Sequence, residues 1–415
     1  MEANVEEAVT FRGRDFPIAG FVAPGFEPVA EAFKSNFRAG REIGAACAAF
    51  LGDRCVVDLW GGFRTPDFTA AWDRDTMVLL MSTTKGLAAL AIAVAHSRGW
   101  LDFDAPVARY WPEFAQHGKG RITVRQLVAF QSGLCVFDTP LTLELLGDLE
   151  ALDEVLARQR PVWTPGTRHG YSPVALGLYQ SALLRRVDPQ GRTVGEFLKS
   201  EIADKLAAEM YVGLPDSVDD SRYAEIRGVR SFQAMREWPP ALVLAILNPR
   251  SMARRMGAVT PTANYQDLNT RPYLRIEMPS VNGVAAPRAL ARTYAEFATG
   301  GAVLGLRPET MTELQAPGGS PSGTAMDGFY HFITAYSLGF WKPFSRWKFG
   351  TSQTAYGALG AGGSQGFADP DLGLGFAYAP NRFALGVFDD PRAAAIRTEL
   401  YRCLNPHREL PSRPL

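Results

Sequence analysis

The chain has 415 residues, 47% of them apolar and 21% charged, an ordinary globular composition with room for two or three packing units around a large core. Lysine plus arginine and aspartate plus glutamate both number 43, so the formal net charge is zero and gives no electrostatic case for nucleic acid or an anionic membrane as partner. The opening "MEANVEEAVTF" is acidic where a secretory signal is basic, and the longest apolar run, Gly86 to Ala95, is about half of the roughly 20 residues that span a bilayer.

Cys47, Cys55, Cys135 and Cys403 form no C-x-x-C pair and read as free core thiols, as expected of a cytoplasmic protein. In chain order, "GFEPVAEAFKSNFRAG" places Val29, Phe33 and Phe37 at near-helical spacing. "GAACAAF" and "CVVDLWGG" flank the turn signal "LGDR" and predict a β-hairpin centred near Gly52–Asp53, which leaves Cys47 and Cys55 out of register. A helix follows Ser82 and stops at Gly99. From Ala105 to Ser280 the pattern is mainly helical, with "TVRQLVAFQSGL", "ALDEVLARQR" and "TVGEFLKSEIADKLAAEM" the clearest segments. Strands return in "YSLGFWKP", "GFADPDLGLGFAYAPN" and "RFALGVFDD", and a last helix runs from about Pro391 to Cys403.

Strands at both ends with helices between them predict an α/β (α+β) architecture. One discontinuous α/β sandwich would use residues 1–104 and 281–415, and a mainly helical unit residues 105–280, with a site in the cleft between them. No internal repeat or low-complexity tract is present.

Ser82 and Lys85 stand i,i+3 at the predicted strand-to-helix junction. On a helix such a pair shares one face, about 5–6 Å apart at Cβ. A lysine desolvated in an apolar cleft loses its charge and can take a serine proton. A helix N-terminus also favours negative charge on the serine oxygen. The spacing alone is a weak signal and better suits a helix cap beside a snorkelling lysine. Context favours the nucleophile: the pair opens an apolar helix, and no histidine lies in a G-x-S-x-G or H-E-x-x-H setting.

Four stretches then occur in a telling order: "MSTTKG", "ITVRQLVAFQSGL", "VWTPGTRHGYSPVALGLY" and "GALGAGGSQGFADPDLGLGFAYAPN". Together they resemble the serine β-lactamase-like superfamily from about Phe26 to Cys403. The likeness extends to class C β-lactamases and penicillin-binding proteins, and is strongest to the β-lactamase-fold carboxylesterases. The resemblance implies a β-lactamase-like fold, with an antiparallel sheet flanked by helices, and a serine acyl-enzyme chemistry. Ser82 would be the nucleophile, Lys85 its base and Tyr171 a proton relay. A lysine charge nearby would favour the ionised tyrosine, so the two groups should titrate together.

Gly360 matches the glycine of the family's K-T-G or H-x-G strand, so Ala361 would present an oxyanion-binding N–H beside that of Ser82. Gly362, with its neighbouring glycines, would let substrate approach the strand edge. Two departures bear on the substrate. Pro173 replaces the asparagine of Y-x-N, and Ala358 replaces the cation of K-T-G or H-x-G. Both changes remove partners for a β-lactam or peptide and favour a neutral ester.

Other segments carry weaker signals. "REWPPALVLAILNPRSMARRMGA" suits a core helix of the helical unit, or an apolar lid or interfacial face. "FWKPFSRWKFG" reads as a hairpin near the cleft. No metal-ligand spacing or phosphate-binding glycine loop is present, so no cofactor is implied. The expected activity is hydrolysis of a small-molecule carboxylic ester. The alternatives are acyl transfer to an alcohol, β-lactamase or D,D-peptidase activity, and a non-catalytic binding protein on the same fold.

Overall fold

The computed structural model describes residues 3–228, 240–248, 250–257, 265–384 and 388–405. A seven-stranded antiparallel sheet organises them in the order β1-β2-β4-β3-β11-β10-β9. Its strands are β1 (Ala3–Phe11), β2 (Arg14–Val22), β3 (Gly44–Leu51), β4 (Arg54–Gly62), β9 (Tyr356–Leu359), β10 (Gln365–Asp369) and β11 (Leu374–Pro380). The two ends of the chain meet where β11 pairs with β3, Tyr378 opposite Cys47.

Both central strands are buried on both faces, and their small residues explain how. Ala45, Cys47, Ala49, Phe376 and Tyr378 face one core, formed with α1 (Glu27–Arg38) and the helix Pro391–Leu404. Ala46, Ala48, Ala377 and Ala379 face the other, formed with the helix Pro287–Ala298. That helix comes so close that a Cβ on Gly375 would lie 2.2 Å from Ala291 O. Alanine and glycine on this face thus permit helix-on-sheet packing without a layer of large side chains.

The predicted hairpin is present: Leu51 pairs with Arg54, and Gly52 turns with φ of 60°. Cys47 pairs with Leu59 and Cys55 with Phe50, and all four cysteines are free. Val29, Phe33 and Phe37 are fully buried in α1 as their spacing requires. α2 (Thr84–Ser97) follows β5 (Met77–Leu79) and a single 3-10 turn at Met81–Thr83, and Gly99 ends it with φ of 75°. The closing helix also lies where predicted.

Several expectations differ from the structure; of "RFALGVFDD", read as a strand, Arg382 and Ala384 make only isolated bridges and residues 385–387 lie outside the described residues. The N-terminal strands β1 and β2 form a hairpin that the sequence reading passed over. A second sheet, β6-β8-β5-β7, adds β6 (Met210–Val212), β7 (Tyr223–Ala224) and β8 (Gly283–Ala285), pieces too short to show a period of two. Through β6 and β7 the mainly helical stretch is hydrogen-bonded to strands outside it. "YSLGFWKP" makes only isolated bridges, Tyr336 to Trp341 and Trp341 to Gly357, because the chain bends at Gly339 with φ of 88°.

The apolar segment around residue 240 forms two helices, Pro240–Leu247 and Met252–Gly257, while Trp238 lies outside the described residues. Leu244 and Leu247 are 69% and 63% exposed, so they do not belong to a core helix. The "FWKPFSRWKFG" hairpin forms, with Phe344 and Trp347 exchanging backbone hydrogen bonds at 3.1 Å. Among the described residues no helix is long and apolar enough to cross a membrane.

Candidate active site

Ser82 sits in the tight turn between β5 and α2, where the chain must reverse from strand into helix. Met81, just before it, has φ of 47°, a left-handed conformation that costs a non-glycine residue energy and clusters at functional turns. The turn is tied down from several sides. Thr84 Oγ1 donates to Met81 O and accepts from Gly283 N at 2.8 Å. Leu80 N donates to Gly283 O at 2.8 Å, and Ser364 Oγ donates to Leu80 O at 2.6 Å and lies 3.0 Å from Thr83 Oγ1.

Lys85 occupies the first turn of α2 and is 1% exposed. Its Nζ lies 3.2 Å from Ser82 Oγ, 2.7 Å from Pro173 O and 3.0 Å from Ser280 O. No carboxylate pairs with it among the described residues, and burial alone pulls its pKa well below the usual ammonium value. Gly86 next to it must be glycine: a Cβ there would lie 2.1 Å from the Tyr294 hydroxyl and 3.2 Å from Ala358 Cβ.

Tyr171 lies on the loop ahead of the helix Ala175–Val187 and reaches the same point. Ser82 is near enough to its phenol to lower the phenol's pKa, and Lys85 Nζ stands 4.9 Å from its ring centroid. Burial pushes its pKa up, outweighing the effect of Ser82. Desolvation works against the expected ionised tyrosine, because burial disfavours charge on both groups. An amine held neutral within reach of a hydroxyl is equipped to receive its proton.

Aromatic rings fix the Tyr171 side chain, with Phe130 stacked at 5.5 Å, Tyr330 at 5.2 Å and Trp341 at 5.4 Å between centroids. Its backbone is held by Asp327, a fully buried carboxylate that the sequence reading missed. Asp327 accepts from Tyr171 N and Tyr336 Oη on one oxygen, and from Phe329 N and Tyr330 N on the other. A lone aspartate within "MDGFYHF" was the only trace of this role. The contributions of Pro173 and Ser280 are backbone carbonyls, which side-chain motifs do not display.

The glycine-rich turn after β9 meets the serine turn from the other side. A Cβ on Gly360 would lie 2.3 Å from Leu80 O and 3.1 Å from Thr83 Oγ1, so only glycine allows this approach. Gly360 N donates to Ser364 O at 2.8 Å and Gly363 N to Gly360 O at 3.1 Å, which curls the turn and leaves Ala361 exposed. Gly362, with φ of 92°, packs under the Phe383 ring and accepts from the Arg392 guanidinium at 2.7 Å. Ala358 is 1% exposed, its methyl directed toward Gly86 of α2.

The structure therefore brings Ser82, Lys85, Tyr171 and Gly360 together, with Ala361 at the rim and Gly362 behind it.

Comparison with known proteins identifies the family and the fold. The family described as Beta-lactamase matches residues 29–400. The esterase/beta-lactamase LipL of Mycobacterium tuberculosis is 30% identical over 374 residues, 88% of this chain and 83% of that protein. Among solved structures, a family VIII carboxylesterase has 33% identity and a TM-score of 0.82, covering 93% of this chain and 99% of its own. A penicillin-binding protein homolog from Caulobacter crescentus has 31% identity and a TM-score of 0.80 over 93% and 99%. With a family model matching most of its length and a relative 30% identical over 88% of it, the chain belongs to the β-lactamase family.

Proposed function

We propose that the protein is a carboxylesterase that cleaves neutral carboxylic esters through an acyl-enzyme on Ser82. The observation that carries this reading is the environment of the Lys85 amine. A neutral amine has two N–H groups and one lone pair. Pro173 O and Ser280 O take the two N–H groups, which directs the lone pair at Ser82 Oγ, 3.2 Å away. Burial with no carboxylate partner among the described residues favours the base form over the ammonium form.

In the proposed reaction Lys85 takes the Ser82 proton as Oγ bonds to the ester carbonyl carbon. The N–H groups of Ser82 and Ala361 receive the oxyanion, and two such donors typically supply a few kcal/mol of transition-state stabilisation. Tyr171 passes the proton to the departing alkoxide as the carbon–oxygen bond breaks. Water then attacks the acyl-enzyme by the same route in reverse order, releasing the acid and restoring Ser82.

The choice of ester over β-lactam rests on two positions. Pro173 has no side-chain donor, and its carbonyl is already engaged by Lys85. Ala358 carries no cation and its side chain is buried. A second reading, β-lactam hydrolysis, draws support from the relative described as both esterase and β-lactamase.

Parallel assays with p-nitrophenyl esters of graded chain length and with a chromogenic cephalosporin separate the two. Ester hydrolysis should exceed cephalosporin hydrolysis by about 100-fold in kcat/KM, the ratio given by two lost polar contacts of roughly 1.5 kcal/mol each. Equal efficiency on both would remove the case for Pro173 and Ala358 as selectivity positions. The two-unit organisation, residues 1–104 with 281–415 and residues 105–280, is part of the same proposal, with the site at their junction.

A further inference from the structure

The β1–β2 hairpin ends in a tight turn in which Phe11 pairs with Arg14 and the two central residues are Arg12 and Gly13. Their φ values are 51° and 78°. Such a turn prefers asparagine, aspartate or glycine at its first central position, because an ordinary side chain is strained there. Arginine in that place is not explained by turn chemistry.

The turn shares the lining of a groove of about 1000 Å³ with Arg227 and Arg382. These two residues lie side by side in a parallel bridge: Arg227 N donates to Asn381 O at 2.8 Å, and Phe383 N to Arg227 O at 3.1 Å. Arg14 completes the set, its guanidinium carbon 3.8 Å from the centre of the Phe68 ring. A stacked guanidinium has its face covered and its N–H edge free, a geometry suited to oxyanions. Arg382 is pinned by donating to Gly40 O.

Among the described residues the lining carries four arginines against two acids, Asp15 and Glu42, and Glu42 acts electrostatically on Arg382. Among the described residues no carboxylate comes within 4.0 Å of Arg12, Arg14, Arg227 or Arg382. Of the two acids in the lining, Glu42 is engaged by Arg392 and Tyr378, while Asp15 accepts from the neutral Thr10 hydroxyl and still sets a carboxylate against four arginines. Partial burial, with Arg392 and Arg227 close by, pulls the Arg382 pKa below the usual guanidinium value. Four like charges gathered in a chain of zero net charge repel one another and are relieved by an anion among them.

We infer that the groove between the β1–β2 turn and the Arg227–Arg382 bridge binds a small soluble molecule carrying clustered phosphoryl oxyanions. Bidentate Arg–phosphate contacts from the turn and from the bridge suit two or more phosphoryl groups better than one.

Calorimetric titration with inorganic tripolyphosphate at low ionic strength tests this. Saturable one-to-one binding is expected, weakened at least about tenfold in Arg14→Gln/Arg382→Gln and unchanged in Arg158→Gln, an exposed arginine paired with Glu154 on another element. Arg12→Gly guards against a folding artefact: it relaxes the turn and should raise the melting temperature while still weakening tripolyphosphate several-fold. Absence of saturable binding, or equal weakening by Arg158→Gln, overturns the inference. So does sedimentation with phosphatidylserine vesicles by a protein that ignores tripolyphosphate, an outcome that would assign the groove to a lipid surface.

Discussion

The carboxylate of Asp327 accepts the backbone N–H of Tyr171 at 2.9 Å, although the two residues are far apart in sequence. The same carboxylate binds Tyr336 Oη at 2.7 Å, Phe329 N at 2.7 Å and Tyr330 N at 2.9 Å, so every acceptor direction is used. Asparagine cannot replace it, because one face of an amide presents N–H against N–H or O–H donors. Asp327→Asn should lower kcat/KM at least tenfold and destabilise by about 2–4 kcal/mol, with both read from kinetics and calorimetric melting. Wild-type turnover in a folded Asp327→Asn protein would show that Tyr171 needs no such anchor.

Much of this site is legible from residues that are neighbours in sequence. Ser82 and Lys85 stand three apart, and the helical turn alone brings them to one face. Tyr171 was reached only through the family pattern, since nothing local marks a tyrosine for this role. Asp327 stayed hidden because it acts from a bridged loop, through backbone N–H groups, on a residue from another part of the chain. Pro173 and Ser280 stayed hidden because a carbonyl belongs to every residue type. In the fold, the alanines of β3 read as a strand correctly, but strands of two or three residues such as β6 and β7 have too little pattern to read. At the β1–β2 turn only Gly13 is a turn residue, Arg12 is not, and the strand before it carries Glu6 and Glu7.

The pH dependence follows from the two burial-driven shifts. Lys85 must be neutral to act, and burial moves its deprotonation well below the usual ammonium range. Tyr171 must keep its proton, and burial moves its ionisation above the usual phenol value near 10. The kcat/KM profile should therefore rise along a single limb as Lys85 loses its proton, then stay level to at least about pH 9.5. A descending limb below about pH 9 would mean that another acid is needed.

Lys85→Ala and Tyr171→Phe should each reduce turnover by orders of magnitude, and the double variant should lose little more than the worse single one. Groups that pass one proton act as a unit and are strongly non-additive. Multiplicative losses in the double variant would separate their roles.

Tyr294 offers a test of the packing behind the site. Its hydroxyl is buried with no hydrogen-bond partner among the described residues, pressed against the first turn of α2. Removing an unpartnered hydroxyl relieves a desolvation cost, so Tyr294→Phe should leave stability unchanged or raise it by on the order of 1 kcal/mol. Gly86→Ala should do the opposite, since its Cβ would fall 2.1 Å from that hydroxyl. Differential scanning calorimetry of both variants checks the pair, and a loss of stability in Tyr294→Phe would indicate a partner for the hydroxyl.

The claim on which the rest depends is that Ser82 carries the acyl group. Peptide mapping by mass spectrometry after reaction with an alkyl fluorophosphonate measures this directly. The account predicts one adduct per chain, on the peptide containing Ser82, with labelling and ester turnover both lost in a folded Ser82→Ala protein. An adduct on a different residue, or substantial turnover in Ser82→Ala, would contradict it.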